Sequence, residues 1–349
     1  MADEQIQADR IDLAALAGWM DAQDLGAGHP IEHLTPLAGG TQNVMVKFDR
    51  GGRSFVFRRG PWSLRPRSND QLRQEMQVLG ALAGTDVPHP GLIAGCPEEG
   101  VMGDAVFYLM EPVDGFNPSV ELPPLHAGSR EIRHAMGLSA ADAIAALGAV
   151  DYLAVGLGDV GHPDGFLERQ VPRWLSELEG YGKHAGYPGP DIPGLDDVAR
   201  WLEANLPASG YQPGISHGDY HLSNLMFRWD SPDVAAIVDW EMSTIGDPLL
   251  DLGWLLATWP RPGEFGIGGN LGDGLPSPAE LVARYGERST RDLSAIGWYE
   301  VMACFKLGIV LEGTHARAFA GKAPQSIGDM LHATTLGLFA RATQRIKES

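Results

Sequence analysis

The sequence predicts an α+β protein in two unequal parts, a small β-rich N-terminal lobe and a larger, mainly helical C-terminal one. Three observations carry that prediction. At 349 residues the chain exceeds a single typical core, so two lobes or domains are expected. From Leu34 to Arg59, strand-like runs alternate with turn signals. Beyond residue 113, helical periodicity dominates.

Taken in order, Ile11 to Gly26 places Ile11, Leu13, Leu16, Trp19 and Met20 at helical spacing and ends on a glycine. Leu34 to Ala38 reads as a strand, Gly39-Gly40-Thr41-Gln42-Asn43 as a Gly-rich turn, and Val44 to Phe48 as a second strand. An Asp49-Arg50-Gly51-Gly52 turn then leads into a third strand, Arg53 to Arg59. Gln71 to Ala83 has helical period and carries Glu75, and Val106 to Met110 is a strand running into Glu111-Pro112-Val113. Ser129 to Val150, Gln170 to Gly180, Asp197 to Leu206 and Ala295 to Gly313 read as helices. Tyr181 to Gly194 and Pro260 to Pro278 are long Gly/Pro-rich loops. The expected division is a helical extension over 1–30, an N-lobe over 31–113 and a C-lobe over 114–349.

Composition narrows the function classes. A net charge of −19 argues against nucleic-acid binding and against docking on an anionic membrane. The polar, acidic N-terminus resembles neither a signal nor a transit peptide, and no apolar run approaches the ~20 residues of a membrane span. Cys96 and Cys304 make no zinc or redox spacing and read as buried reduced thiols of a cytoplasmic protein.

The chemistry concentrates in two stretches, His217-Gly218-Asp219-Tyr220-His221-Leu222-Ser223-Asn224 and Ile237-Val238-Asp239-Trp240-Glu241. Between them lie an apolar triplet, a turn-rich segment and a second apolar run, the pattern of a β-hairpin. Asn224 stands before its first strand and Asp239 after its second. Opposed Cα atoms in an antiparallel pair lie about 4.5–5.5 Å apart, so the two side chains would meet at the hairpin's open end. Asp219 lies five residues upstream. Hard oxygen ligands of this kind suit magnesium with phosphate oxygens completing its shell.

Spacing and residue types here resemble those of protein kinases, which place a catalytic Asp five residues before a metal-binding Asn and a second metal-binding Asp after a short hairpin. Gly218 replaces the kinase Arg, and Asp239-Trp240-Glu241 stands in place of Asp-Phe-Gly. His-Gly-Asp with this spacing resembles the aminoglycoside phosphotransferase family. The run Asp239 to Pro248 is similar to the branch of kinase-like domains associated with acyl-CoA dehydrogenases. The likeness covers roughly residues 30–340.

The resemblance implies a protein-kinase-like two-lobe fold and an ATP- and Mg²⁺-dependent phosphotransferase acting on a small-molecule hydroxyl. Asp219 would orient or deprotonate the acceptor, and Asn224 and Asp239 would hold Mg²⁺. Gly39, Gly40, Thr41 and Asn43 would cover the phosphates, although the turn departs from the full kinase glycine pattern and alone reads as a hairpin turn. Arg58 stands where the nucleotide-binding Lys belongs, with Glu75 as its partner, and Glu111 and Val113 would offer hinge backbone to adenine. Arg for Lys changes the contact, since a planar fork replaces a point charge. His217 has two readings, a loop-orienting residue and a base; His221 has two as well, a substrate contact and a solvent-facing or hydrogen-bonded ring. Asp247 and Asp251 read as structural, beside a helix start.

Seven arginines crowd residues 50–73 against Asp70 alone, which reads either as a solvated strand edge or as a site for nucleotide or coenzyme A phosphates. The branch implies a hydroxyacyl-CoA or lipid-derived acceptor, with Trp254, Trp259 and Phe265 as candidate pocket residues, Trp254 reading also as core. The alternatives are an aminoglycoside or macrolide antibiotic kinase, suited to the acidic C-lobe, and a nucleotide-binding pseudokinase, suggested by the missing Lys. Gly156 to Gly161 matches the dinucleotide fingerprint, but a helix-like stretch precedes it and Pro163 follows, so it reads as a decoy. Oligomeric state is not legible.

Overall fold

The computed structural model describes residues 10–37, 43–207, 211–261 and 271–349. Helix α1 (Leu13–Ala22) starts at Asp12, whose carboxylate accepts the free amide of Ala15 at 2.9 Å. Strands β1 (Glu32–Pro36), β2 (Val44–Arg50) and β3 (Arg53–Arg59) follow, then α2 (Ser68–Leu82), β4 (Leu92–Cys96) and β5 (Phe107–Met110). They form one antiparallel sheet in the order β1-β2-β3-β5-β4. Gly51 and Gly52 close the β2–β3 hairpin with φ of 57° and 78°, the two positive values that a type I′ turn demands. Trp19 of α1 packs edge-on against Phe107 with ring centroids 4.8 Å apart, sealing a small core on one sheet face. On the other face, Leu72, Met76, Leu79 and Leu82 of α2 join the large C-terminal core.

The remainder is mainly helical: α3 (Pro124–Gly128), α4 (Arg130–Ala149), α5 (Gln170–Gly180) and α6 (Leu195–Ala204). Short strands β6 (Gly214–Ser216), β7 (Leu225–Phe227), β8 (Val234–Ile237) and β9 (Thr244–Gly246) carry the motif loops. Helices α7 (Leu249–Thr258), α8 (Pro278–Arg288), α9 (Ile296–Phe319) and α10 (Gln325–Glu348) complete it. β7 pairs with β8 and β6 with β9, so the segments on either side of Asp219 and Asp239 are held by ladders. Phe116 and Phe227 exchange backbone hydrogen bonds at 2.8 Å, fixing the segment after β5 against that hairpin.

The expected helices and strands recur within a few residues, and Cys96 and Cys304 are buried and free. Several differences are informative. β4 was not expected, because Gly95 and Cys96 dilute its strand character. α8 begins at the end of the stretch read as a loop, and α9 continues past Gly313 to Phe319. Gly156 to Gly161 lies in turns with no strand feeding it, which removes the dinucleotide reading. Among the described residues no helix is long and apolar enough to cross a membrane.

Candidate active site

The β7–β8 hairpin does bring its ends together. Leu225 pairs with Ile237, and the Val238 amide donates to the Asn224 carbonyl at 2.9 Å. Asn224 uses its amide nitrogen on Asp219, donating to the backbone oxygen at 2.9 Å and to Oδ2 at 3.1 Å. Its carbonyl oxygen is thereby left for another ligand. Asp239 has φ of 67°, a left-handed conformation that Asp tolerates better than most residues, and its Oδ1 accepts from Arg58 at 2.9 Å. Oxygen donors from Asn224 and Asp239 with Asp219 alongside form the hard donor set that Mg²⁺ prefers, so these residues fit that ion.

Asp219 is held from several sides. Burial pushes its carboxyl up, but the His221 hydrogen bond at 3.2 Å and nearby positive charge, that of Lys306 included, prevail and bring it to about 2. His217 is fully buried and spends both ring nitrogens on the backbone: Nε2 donates to the Val238 carbonyl at 3.0 Å, and Nδ1 accepts from the Asp219 amide at 3.4 Å. That is the loop-orienting role of the two considered. His221 bonds to Asp219 rather than facing solvent. Asp251 accepts the amides of His217 and Gly218 at 2.6 and 2.8 Å, and Asp247 caps Leu249 at 3.0 Å while taking the Tyr299 hydroxyl at 2.6 Å. Both are structural, and Asp251 fixes the motif loop directly.

Arg58 reaches across the lobes. Its Nε and one terminal nitrogen grip Glu75 at 2.9 and 3.1 Å, and the same terminal nitrogen reaches Asp239. Burial works against its charge, yet Glu75, Tyr108 and Asp239 outweigh it, so Arg58 stays protonated. Its other terminal nitrogen faces Met45 Sδ at 3.5 Å. The fork is thus committed to two carboxylates, and one terminal nitrogen remains for a phosphate. Asn43 donates to Glu241 at 3.3 Å beside Glu75. Glu111 turns its side chain outward to Arg53 at 3.1 Å and gives its amide to Gly91, so only its carbonyl, with the Val113 backbone, faces the hinge. Gly39, Gly40, Thr41 and Phe265 lie outside the described residues.

The arginine cluster mostly serves the fold. Arg50 is buried on Ala17, His29 and Asp21, Arg59 stacks on Trp62 at 4.2 Å, and Arg73 pairs with Asp70 at 3.1 Å. Arg67 is the exception. It lines a cavity of about 610 Å³ that reaches Gly218 and Glu241 and is also lined by Arg169, Arg173, Trp174, Trp254 and Lys306. Arg67 and Arg173 have no carboxylate partner among the described residues. Lys306 lies over the Trp254 ring at 4.4 Å and donates to the Gly218 carbonyl at 2.8 Å. Burial lowers it to about 8 against the pull of Asp219 and Asp251. Trp254 and Trp259 are both buried in the core; Trp254 also edges the cavity, and Trp259 sets its indole nitrogen on the Pro276 carbonyl. Sequence reasoning missed these cavity cations, although Lys306 alone among Cys304, Phe305 and Leu307 was a visible signal.

Comparison with known proteins places this arrangement. A family model described as the phosphotransferase enzyme family matches residues 33–296. Human acyl-CoA dehydrogenase family member 11 is 28% identical over 331 residues, which is 91% of this chain and 41% of that protein; the rat protein matches equally over 330 residues. This chain thus spans about two fifths of the length of those relatives. A crystal structure from Ralstonia eutropha JMP134, named provisionally as an aminoglycoside phosphotransferase, is 31% identical with a TM-score of 0.81, covering 97% of this chain and 99% of its own. APH(4)-Ia in complex with ADP and hygromycin B is 14% identical with a TM-score of 0.59, covering 95% of this chain and 98% of its own. The fold is that of the kinase-like phosphotransferases: a small antiparallel-sheet lobe and a mainly helical one.

Proposed function

Because this chain belongs to the phosphotransferase enzyme family, we propose that it transfers the γ-phosphoryl group of ATP to a hydroxyl of a small, acidic acceptor, with coenzyme A thioesters of hydroxy acids as the class tested first. One observation carries the reading. Asp219, Asn224 and Asp239 converge at the hairpin mouth, tied on one side to Arg58 and Glu75 and bordered on the other by a cation-lined cavity.

In this reading ATP lies between the lobes, with adenine at the backbone of Glu111 and Val113 and the phosphates met by Asn43 and the residues just before it. Asn224 and Asp239 would hold magnesium, which when bound neutralises phosphate charge. Asp219, kept ionised, accepts the acceptor's hydroxyl proton as the oxygen bonds to the γ-phosphorus and ADP leaves. The Asp219–Asn224 contacts and the Asp251 clamp hold that carboxylate in place, so little reorganisation is needed at the moment of transfer. The Arg58–Glu75 pair occupies the place of the kinase Lys–Glu ion pair.

The cavity supports an acidic acceptor. Arg67, Arg169, Arg173 and Lys306 outnumber Glu241 and Asp251 in its lining, and Asp251 is spent on two amides. A polycationic antibiotic would face net repulsion there, whereas phosphate or carboxylate groups would find arginine forks. The relatives' name points to acyl-CoA chemistry in the same polypeptide. The aminoglycoside reading rests on the names of structural neighbours, and the pseudokinase reading on the absent Lys alone.

The test is ADP release with Mg·ATP across hydroxyacyl-CoAs, aminoglycosides, macrolides and choline, in the wild type and in Asp219→Ala. Turnover with hydroxyacyl-CoAs that disappears in the variant is the expected result. Turnover only with aminoglycosides overturns the acceptor assignment, and Mg·ATP binding without transfer to any acceptor favours the pseudokinase.

A further inference from the structure

Far along the C-terminal hairpin, a second set of ligand-bearing side chains converges that phosphoryl transfer does not use. α9 carries Glu312 and His315, and α10 carries Asp329 and His332, so each helix offers an acidic residue with a histidine three positions later. That spacing puts both members of a pair on one helix face. The two faces meet. His332 Nδ1 lies 2.7 Å from Glu312 Oε2, His315 Nδ1 lies 3.7 Å from Asp329 Oδ1, and the imidazoles stack with centroids 4.4 Å apart. Gly328 permits this approach, since a Cβ there would lie 2.6 Å from the Ala318 Cβ.

Burial separates this cluster from an ordinary acidic surface patch. Glu312 is 0% exposed and His315 9%. His315 Nδ1 is buried and makes no hydrogen bond among the described residues, an arrangement that costs stability unless something else binds that nitrogen. The Tyr187 hydroxyl donates to Glu312 Oε1 at 2.8 Å, which leaves Oε2 directed at His332. An outer hydrogen bond of this kind orients carboxylates that bind metals. The side chains of Asp329 and His332 are 60% and 21% exposed, giving an ion a way in.

We propose that Glu312, His315 and His332 form a zinc site, with Asp329 or water as the fourth ligand. One donor atom from each of the three lies within 4.8 Å of the others. A tetrahedral zinc ion with bonds of about 2.0–2.1 Å sets its ligands roughly 3.3 Å apart, a spacing that small side-chain shifts would reach from here. Two imidazoles and a carboxylate are a zinc donor set. The ion would fasten α9 to α10 beside their connecting turn and, through Tyr187, to the segment after α5.

The experiment is zinc binding to the full chain after chelator dialysis, with zinc chloride alone and neither magnesium nor nucleotide, read by calorimetry, metal analysis and the visible spectrum of the cobalt-substituted protein. One equivalent should bind, with four-coordinate cobalt bands. His332→Gln and His315→Gln should each weaken binding at least tenfold, and Tyr187→Phe about tenfold as the outer hydrogen bond is lost. Zinc at 100 times the wild-type Kd should raise the wild-type melting temperature by about 3–4 °C and that of His332→Gln by no more than about 2 °C. His332 is partly exposed, so its variant folds even if Glu312→Gln does not, and circular dichroism checks this. Zinc bound equally well by His332→Gln, or not bound by the wild type, overturns the proposal. Because the assay omits nucleotide and acceptor, its failure leaves the phosphotransfer reading intact.

Discussion

The two sides of the Asp219 loop are built on opposite principles. On the side proposed for the nucleotide the charges are partnered: Arg58 answers Glu75 and Asp239, and Asn224 and His221 answer Asp219. On the cavity side Arg67 and Arg173 lack carboxylate partners among the described residues, and Lys306 is buried between aromatic rings. The first side is preorganised, and the second carries surplus charge awaiting a counterpart. Two of the four non-glycine residues with positive φ among the described residues, Arg67 and Asp239, fall one on each side. Such conformations persist where the surrounding structure over-determines them. In the proposed reading, the contrast assigns the chemistry to contacts within the protein and the selectivity to what enters the cavity.

The largest effect should come from the preorganised side. Asp219→Ala is expected to lower kcat by about 10³–10⁴-fold with little change in the KM for ATP, measured by ADP release. An equal rise in KM would place Asp219 in binding rather than in the reaction. Next, Glu75→Gln leaves Arg58 buried with one carboxylate fewer and should destabilise the fold by about 3 kcal/mol in denaturant titration. A neutral result would mean that Asp239 alone compensates the guanidinium.

On the other side, Arg67→Gln and Arg173→Gln should each raise the KM for an acidic acceptor about tenfold, the equivalent of about 1.4 kcal/mol, with kcat unchanged. If a neutral acceptor responds equally, the cavity is not selecting charge. The smallest effect is a pH dependence. Lys306 is faced by Asp219, Asp251, Arg173 and the rings of Trp174 and Trp254, and burial lowers it to about 8. Its charge is therefore lost as pH rises through about 8, and the acceptor KM should rise several-fold between roughly pH 7 and 9. In Lys306→Met that slope should be absent. The linked effect on stability has the opposite sense: between about pH 8 and 10.5 the unfolded state holds more protons than the folded one, so this group's contribution to stability rises with pH.

How much of this the sequence revealed depended on distance along the chain. The hairpin, with Asn224 and Asp239 at its mouth, was legible because strand pairing converts local spacing into a contact. The Arg58–Glu75 pair came from the resemblance, which sets Arg58 where the kinase Lys stands and Glu75 as its partner. The arginine cluster divided in a way that charge density could not show, because it says nothing about which way a side chain points: Arg50 turns inward to Ala17 and His29, whereas Arg67 lines the cavity. The cavity was not legible at all, since Arg67, Arg173 and Lys306 come from three distant segments joined only by packing. α8 was readable in principle, because Ser277 and Glu280 form a capping box with Pro278 at the first turn.

Gly218 occupies the place of the arginine in the kinase motif. Its φ is +85°, and a Cβ there would run into the Met242 carbonyl. No longer residue fits that position without moving the loop, so Gly218 cannot be replaced by a cation that docks a regulatory phosphate. The loop is instead set by permanent parts of the fold, Asp251 on its amides and Lys306 on its carbonyl. In the phosphotransfer reading, this position offers a regulatory phosphate nothing to dock on. Throughput would then follow the supply of acceptor and the amount of protein present.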